Sequence, residues 1–449
     1  MKSLNLFRWP VILASLVLLL FVGLRSIYAS PGIRRPTQPW VAPVYPDYQD
    51  RHAWVSGYEA IVQEHPSFLS LRLLAEEYLK RFREVADPED LLRAEEAARR
   101  VLGIKAQPES SRVIAYSVLA SALVGQHRFA EALAVAEQGE RIAPEPLQTQ
   151  LASILMELGE YEQAEQHLKQ VKGGGTVQAR YLELTGHLQE ARQRIQESMA
   201  QIDRFYTNPA ELRSWFHMRA ADLAFLAGAL DEAEQRYQEA LQIYPQQVPA
   251  LTGLARLYAA QHRWPEALEV ASQGADLLPT VDNLGHKADA QRALGDFEGA
   301  AATEELIGTV AHLGRVKGLY DRALAIYYSE HGIHLSEALQ IARHELLLRQ
   351  DIYSQDTLAW AAAANGHWQE AKSAIQQALR LNTEDPLLHF HAGMIAAQVQ
   401  EPQEAVQHFS QALALNPHFH PRYAEQAREM LKELGIQNPE SLQPLSPLA

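Results

Sequence analysis

Apolar and small residues recur along most of the chain at the spacing of one face of an α-helix. In one such stretch, Ala233 is followed by Tyr237, Ala240 and Pro245. Residues three and four apart lie on the same helix face, and small residues let a second helix approach closely. Proline does not continue a helix, so it marks the end of the element. The pattern predicts pairs of short helices.

The same pattern returns with a regular period. The alanines that mark the second helix of each pair are Ala132, Ala164, Ala191, Ala233, Ala267, Ala300, Ala338, Ala371 and Ala405. Their spacing is close to the roughly 34 residues of the tetratricopeptide repeat, a helix–turn–helix unit. We therefore expect an all-α fold, a right-handed superhelical solenoid of such units. Glycine in a left-handed conformation is expected in the turns within units, at Gly159, Gly295 and Gly366.

The repeats predict the organisation of the chain. We count eight units between about residues 113 and 421 and a ninth, degenerate unit over residues 66–107. An irregular unit after Gly173 is interpreted as a joint between two sub-arrays. The predicted segments are a proline-rich linker and lead-in over 30–65, sub-arrays over 66–205 and 206–421, a capping helix over 422–435 and a tail over 436–449.

The N-terminal end follows a different pattern. Residues 10–24 form an uncharged, largely apolar run, preceded by Lys2 and Arg8. A membrane-spanning helix needs about 20 apolar residues, whereas a signal-peptide core has about 7 to 15. Residues 1–29 are therefore either a signal peptide cleaved after Ala29 or a retained hydrophobic anchor helix, and both alternatives stay open. Either way we expect export, to a membrane, the periplasm or the cell exterior.

The composition of the chain excludes several classes of function. The net charge is −15 and no basic stripe is present, which argues against nucleic-acid binding. The chain has no cysteine, so disulfides, thiolate zinc sites and cysteine nucleophiles are excluded. No phosphate-binding loop, nucleophile elbow, dinucleotide fingerprint or zinc-protease motif is found. We predict a protein that is not an enzyme and has no cofactor.

Residues 73–419 resemble a group of bacterial tetratricopeptide repeat proteins. The resemblance is carried by the phrases Asp356-Thr357-Leu358-Ala359-Trp360, His391-Ala392-Gly393-Met394-Ile395, Asn416-Pro417-His418-Phe419 and Ala94-Glu95-Glu96-Ala97-Ala98-Arg99-Arg100. It implies a repeat scaffold, often behind a signal or anchor, with no established catalytic activity. The chain departs from the proline-ended pattern at Thr383 and around Ala300.

In tetratricopeptide arrays the first helix of each unit lines a concave groove. The corresponding positions of this chain are Trp215, Met218, Asp222, Phe225, Arg256, Asp289, Arg292, Tyr320, Tyr327, Glu330, Tyr353, Asp356, Trp360, Phe390 and Met394. The aromatic residues concentrate in the C-terminal units, which favours an apolar peptide or helix of a partner as the ligand. Aromatic residues at helical spacing also pack in cores, and this alternative stays open.

These observations predict a non-catalytic scaffold or assembly factor that binds a segment of a partner protein. The alternative is a metal- or small-ligand-handling periplasmic protein that uses C-terminal histidine and acidic residues. Its weak metal candidates are His331, His391, His418 and His420. Histidines without matched ligand spacing rarely form a metal site, so the scaffold is the preferred hypothesis.

Overall fold

The computed structural model describes residues 47–171, 175–205, 208–316 and 322–436. The predicted signal or anchor segment, the linker up to residue 46 and the tail from residue 437 lie outside the described residues. None of the helices within the described ranges has the length and apolar character needed to cross a membrane.

The described residues form α-helices and no β-strand. In chain order the 22 helices are α1 (Asp47–Glu64), α2 (Phe68–Val85), α3 (Pro88–Gly103), α4 (Glu109–Gly125), α5 (Phe129–Glu140), α6 (Gln148–Glu157), α7 (Tyr161–Leu168), α8 (Gly175–Leu184), α9 (Leu188–Asp203), α10 (Ala210–Leu226), α11 (Leu230–Ile243), α12 (Val248–Ala260), α13 (Trp264–Leu277), α14 (Val281–Ala293), α15 (Phe297–Val316), α16 (Arg322–His331), α17 (Leu335–Leu348), α18 (Ile352–Ala364), α19 (Trp368–Ala378), α20 (Pro386–Gln398), α21 (Pro402–Leu415) and α22 (Tyr423–Glu433). A short 3₁₀ helix, Glu145–Leu147, precedes α6.

From α2 to α21 the helices pair into ten successive hairpins, one more than the nine counted from the sequence. The stretch after Gly173, whose sequence pattern is irregular, forms a separate hairpin of helices α8 and α9. The first helices of neighbouring hairpins pack side by side, as α10, α12, α14, α16 and α18 do, and so form an inner layer. Helix α1 packs on α2, and α22 packs on α21.

The local signals act as predicted. The marker alanines Ala233, Ala267 and Ala371 have no exposed surface, because they lie where the two helices of a hairpin approach most closely. The turn glycines Gly159 and Gly366 have φ values of 79° and 74°, in the left-handed region that glycine enters without a steric penalty. The alanines allow close packing within each hairpin, and the glycines form the turn that sets the direction of its second helix.

Hairpins that are distant in sequence also touch. The backbone N–H of Ile352 donates to the Tyr161 hydroxyl at 3.0 Å, and Asn416 donates to the carbonyl of Phe225 at 2.7 Å, each across 191 residues. A Cβ atom added at Gly186 would lie 2.3 Å from the carbonyl oxygen of Asn382. The solenoid therefore completes a turn and packs against its own preceding turn, which encloses the space inside.

Candidate functional site

The inner helices surround a cavity of about 1360 Å³. Helices α10, α12, α14 and α16 supply most of its wall, and residues 82–86, 385–387 and 419–422 are among the others that line it. Val281 and Ala293, at the two ends of α14, both face the cavity, so it extends along the whole helix. At a rise of about 1.5 Å per residue this helix is about 20 Å long.

The structure divides the predicted groove residues into two groups. Those on α10, α12, α14 and α16 line the cavity together: Met218, Asp222, Phe225, Arg256, Asp289, Arg292, Tyr327 and Glu330. Outside the cavity wall lie Trp215, Tyr353, Asp356, Trp360, Phe390 and Met394. The remaining candidate, Tyr320, lies outside the described residues.

The aromatic residues of the C-terminal hairpins pack in the core. Phe390 has no exposed surface, and its ring stacks on Tyr423 with centroids 4.5 Å apart. Trp360 meets Tyr423 edge to face at 5.7 Å, and Met394 packs on the same cluster. The expectation that Phe390 faces a groove is thus wrong, because α22 contributes Tyr423 and covers this side of the array.

The other three residues outside the cavity have partners within the array. Trp215 packs edge to face on Phe216, with ring centroids 5.2 Å apart. Tyr353 lies under the guanidinium group of Arg180 at 5.2 Å. Asp356 accepts a hydrogen bond from Nδ1 of His391 at 2.9 Å.

One side of the cavity wall is organised by the Asp222 carboxylate. It accepts hydrogen bonds from the Tyr237 hydroxyl at 2.6 Å and from Arg219 at 3.0 Å, and it pairs with Arg256 at 3.3 Å. The Arg256 side chain is 40% exposed, and it also lies 4.5 Å above the ring of Phe225. These contacts fix the Arg256 side chain, which shares the Asp222 carboxylate with Arg219.

A second network joins α14 to α16. Nδ1 of His331 donates to the carbonyl of Tyr327 at 2.8 Å, while Nε2 faces the Asp289 carboxylate at 2.8 Å. Both partners accept protons, so both ring nitrogens act as donors and the imidazolium form is favoured. Burial lowers the pKa of His331, but the hydrogen bond to Asp289, the charge of that carboxylate and the hydrogen bond to the Tyr327 carbonyl together outweigh this, and the net shift is upward.

Most charged groups of the cavity wall are paired. Its wall contains seven carboxylates and four arginines. Each arginine has a carboxylate at ion-pair distance, in the pairs Arg83–Glu211, Arg256–Asp222, Arg292–Glu304 and Arg422–Glu330. Three of the carboxylates have a further cation: Glu84 pairs with Arg51, Asp222 also with Arg219, and Asp289 faces the His331 imidazolium.

Two cavity carboxylates, those of Asp282 and Asp385, have no cation at ion-pair distance among the described residues, although Arg256 acts on both from further away. Asp282 is exposed to the cavity and has no hydrogen bond or ion pair there, and partial desolvation by the surrounding wall raises its pKa. Asp385 caps α20 through Oδ1, which accepts from the N–H of Leu387 at 2.9 Å, and burial raises its pKa too. One helical turn after Asp282, burial lowers the pKa of His286 to about 4, so this imidazole is neutral at pH 7.

Apolar side chains complete the wall. Val85, Leu277 and Ile333 line the cavity and are 47%, 45% and 37% exposed. Sequence reasoning missed these residues together with Asp282, His286 and Asp385. All lie at helix ends, in turns or off the groove register, where local periodicity does not indicate which way a side chain faces.

The metal candidates are separated. His331 bonds Asp289, His391 bonds Asp356, and His420 accepts the backbone N–H groups of Arg422 and Tyr423 at 3.2 Å. Across the described parts of the chain, no three histidine or acidic side chains are grouped as metal ligands would be. The structure gives the metal alternative no support there.

Comparison with known proteins defines the class. Family models described as tetratricopeptide repeat match residues 145–172, 224–288 and 357–418. These segments fall on the hairpins of α6–α7, α10–α14 and α18–α21, so the chain contains tetratricopeptide repeats. Repeats of this kind serve as scaffolds for protein–protein interaction. No curated protein sequence matches the chain.

Solved structures of helical repeat proteins are also similar. They include the anaphase-promoting complex hetero-tetramer Cut9–Hcn1 (13% identity, 86% of this chain and 94% of that chain, TM-score 0.35). A human IFIT1 dimer with PPP-AAAA has 14% identity over 74% of this chain and 78% of that chain, with a TM-score of 0.47. A tetratricopeptide repeat protein from Parabacteroides merdae has 19% identity over 57% and 96%, with a TM-score of 0.32.

Proposed function

We propose that this protein is a scaffold that holds a segment of a partner protein inside the cavity of its coiled array. The carrying observation is that exposed apolar side chains, Val85, Leu277 and Ile333, face a space surrounded by helices. Apolar surface that a folded protein leaves exposed in one place marks an interaction site. The cavity, at about 1360 Å³, also exceeds the roughly 300–1,000 Å³ of small-molecule pockets.

The dimensions suit an extended chain. A strand-like segment rises about 3.3 Å per residue, so the length of α14 accommodates about six residues. The wall offers such a segment apolar contacts near Leu277 and charged groups along α14. The partner then binds through the side chains of one extended segment and not through a folded surface.

Export is part of the proposal. It is supported by the apolar run over residues 10–24 and the prolines that follow it. The test is mass spectrometry of the N-terminus of the protein purified from its native cells, together with cell fractionation. A protein that starts at residue 30, or a full-length chain in the membrane fraction, supports export. A full-length chain in the cytoplasmic fraction overturns it.

Site-specific photocrosslinking in living cells tests the cavity directly. A photoreactive amino acid replaces Leu277, which faces the cavity, or Leu347, which is 80% exposed and lies outside the cavity wall. We expect a crosslink to a defined protein from position 277 and none from position 347. Mass spectrometry then identifies the partner and the residues that were captured.

The opposite pattern overturns the proposal. If position 347 captures the same partner as efficiently as position 277, binding takes place on the outer surface. If neither position captures a protein while the variant is folded and expressed, the cavity does not hold a partner segment.

A further inference from the structure

Two superhelical turns of the array meet along a seam. The first helices of neighbouring hairpins pack side by side, so the tight turns within hairpins lie at one end of the array and the loops between hairpins lie at the other. Along the seam, tight turns of earlier hairpins pack on loops of later ones. A Cβ atom added at Gly159 would lie 2.5 Å from the carbonyl oxygen of Gln350, and one added at Gly228 would lie 3.0 Å from that of Leu415. The seam therefore joins two different ends of the same repeat.

The seam covers the residue that begins the second helix of a hairpin. Phe129, Tyr161 and Leu188 have this position in α5, α7 and α9, and all three are buried. The guanidinium groups of Arg349 and Arg380, which belong to the later superhelical turn, lie 5.6 Å and 5.0 Å from the ring centroids of Phe129 and Tyr161. Such contacts combine apolar burial with cation–π attraction. An end formed by tight turns is thus a surface that packs on loops.

The tight turns of the later superhelical turn do not have this cover. Phe297 has the equivalent position in α15 and is 68% exposed, and the neighbouring Leu294 is 46% exposed. A Cβ atom added at Gly295 or Gly366 would have no atom of the described residues within 4 Å. Neither Phe297 nor Leu294 lines the cavity. We call residues 294–297 and 365–368 the turn edge.

The loops of the earlier superhelical turn are exposed at the opposite end. Phe205, in the loop before α10, is 64% exposed. Arg141, in the loop before α6, is also exposed, and it has the same position relative to Ala132 as Arg380 has relative to Ala371. The chain therefore presents one half of the seam at each end. We call residues 104–108, 141–144 and 204–205 the loop edge.

We infer that copies of this chain associate head to tail, with the turn edge of one copy packed on the loop edge of the next. This contact continues the seam that one chain already makes between its own superhelical turns. It buries Phe297 and brings Arg141 to the aromatic residues of the turn edge, Phe297 and Trp368. Because the two surfaces differ, every pair keeps a free edge at each end and extends into longer oligomers. The cavity takes no part in this association.

Sedimentation velocity of the purified full chain, over about a hundredfold range of concentration, tests the inference. The turn-edge variant is Leu294→Asp with Phe297→Asp, and the loop-edge variant is Arg141→Glu with Phe205→Asp. We expect the wild type to form oligomers as its concentration rises. Each edge variant should associate at least about tenfold more weakly, because a carboxylate loses its hydration in an apolar contact.

The control variant is Leu347→Asp. Leu347 is 80% exposed and lies near the far end of α17, on neither edge. It adds the same kind of charge to an exposed apolar position, and it should associate as the wild type does. A loss in this control equal to that in the edge variants overturns the inference.

An equimolar mixture of the two edge variants tests the head-to-tail arrangement. One variant keeps an intact loop edge and the other keeps an intact turn edge. We expect the mixture to form a one-to-one dimer that does not grow further, although each variant alone stays monomeric. Recovery of the dimer also shows that both variants are folded.

Three further outcomes overturn the inference. They are a wild type that stays monomeric at the highest concentration, edge variants that associate as strongly as the wild type, and a mixture that forms no dimer while both variants unfold as cooperatively as the wild type. The proposed function fails separately. The absence of a crosslink from position 277 contradicts cavity binding and leaves the edge contact in place, whereas monomeric wild-type protein contradicts only the edge contact.

Discussion

The hairpins of helices α12–α17 and those of helices α18–α21 contain equivalent groove positions with different surroundings in the tertiary structure. In the first region, Arg256, Asp289 and Glu330 face the cavity. In the second, Trp360 and Phe390 are covered by Tyr423 of α22. The inner face of a repeat thus lines the cavity only where nothing packs on it. In the second region the final helix covers the aromatic side chains.

The largest loss of stability is expected for a substitution of Phe390, which tests whether the C-terminal aromatic residues belong to the core. Phe390→Ala should destabilise the array by about 3–5 kcal/mol, because a fully buried ring leaves a cavity behind. Phe297→Ala is the matched control, since that ring is 68% exposed. Thermal and urea unfolding measure both variants. Equal stability of the two would place Phe390 outside the core and return it to the groove.

The contact between successive turns should give the next largest effect. Asn416→Ala removes the donor that the Phe225 carbonyl receives from the distant hairpin, leaving it only the N–H of Gly228, and it also removes the acceptor of the His418 N–H, at a cost of about 1–3 kcal/mol. Asn365→Ala is the control, because its side chain bonds Leu335 and Ala361 within neighbouring hairpins. Hydrogen exchange should become faster in α10 for the first variant only. Unchanged exchange in α10 would show that the turns do not hold each other.

A smaller, pH-dependent effect is expected at His331. Its pKa is raised in the folded protein, so its stabilisation is fully present below the unfolded value of about 6.5 and is lost as pH rises through the folded value. The melting temperature of the wild type should exceed that of His331→Gln by more at about pH 6 than at about pH 8. His312→Gln, an exposed site on α15, is the control. A constant difference across this range contradicts the Asp289 pair.

The smallest effect on stability is expected at Asp282. Asp282→Asn should change the free energy of unfolding by no more than about 0.5 kcal/mol, because this exposed carboxylate has no hydrogen bond or ion pair among the described residues. Urea unfolding measures the change. A loss of more than about 1 kcal/mol would make Asp282 a residue that holds the fold.

Many residues of the candidate site could be predicted from their positions within the repeat. Counting positions along the first helices identified Met218, Asp222, Arg256, Asp289 and Tyr327, all of which line the cavity. The same register failed for Phe390, since it assumes an open inner face throughout the array. It also missed Asp282 and Asp385, which lie at the starts of α14 and α20, where acidic residues are ordinary helix signals.

The sequence by itself determined the helices, the period and the close contacts within each hairpin. These depend on residues at most about 34 positions apart, such as the buried alanines and the turn glycines. Only the tertiary structure decided that the coil closes on itself, through contacts such as Tyr161 with Ile352 across 191 residues. Local periodicity does not encode the curvature that accumulates over many hairpins, and that curvature brings Asp282 and Asp385 to one cavity.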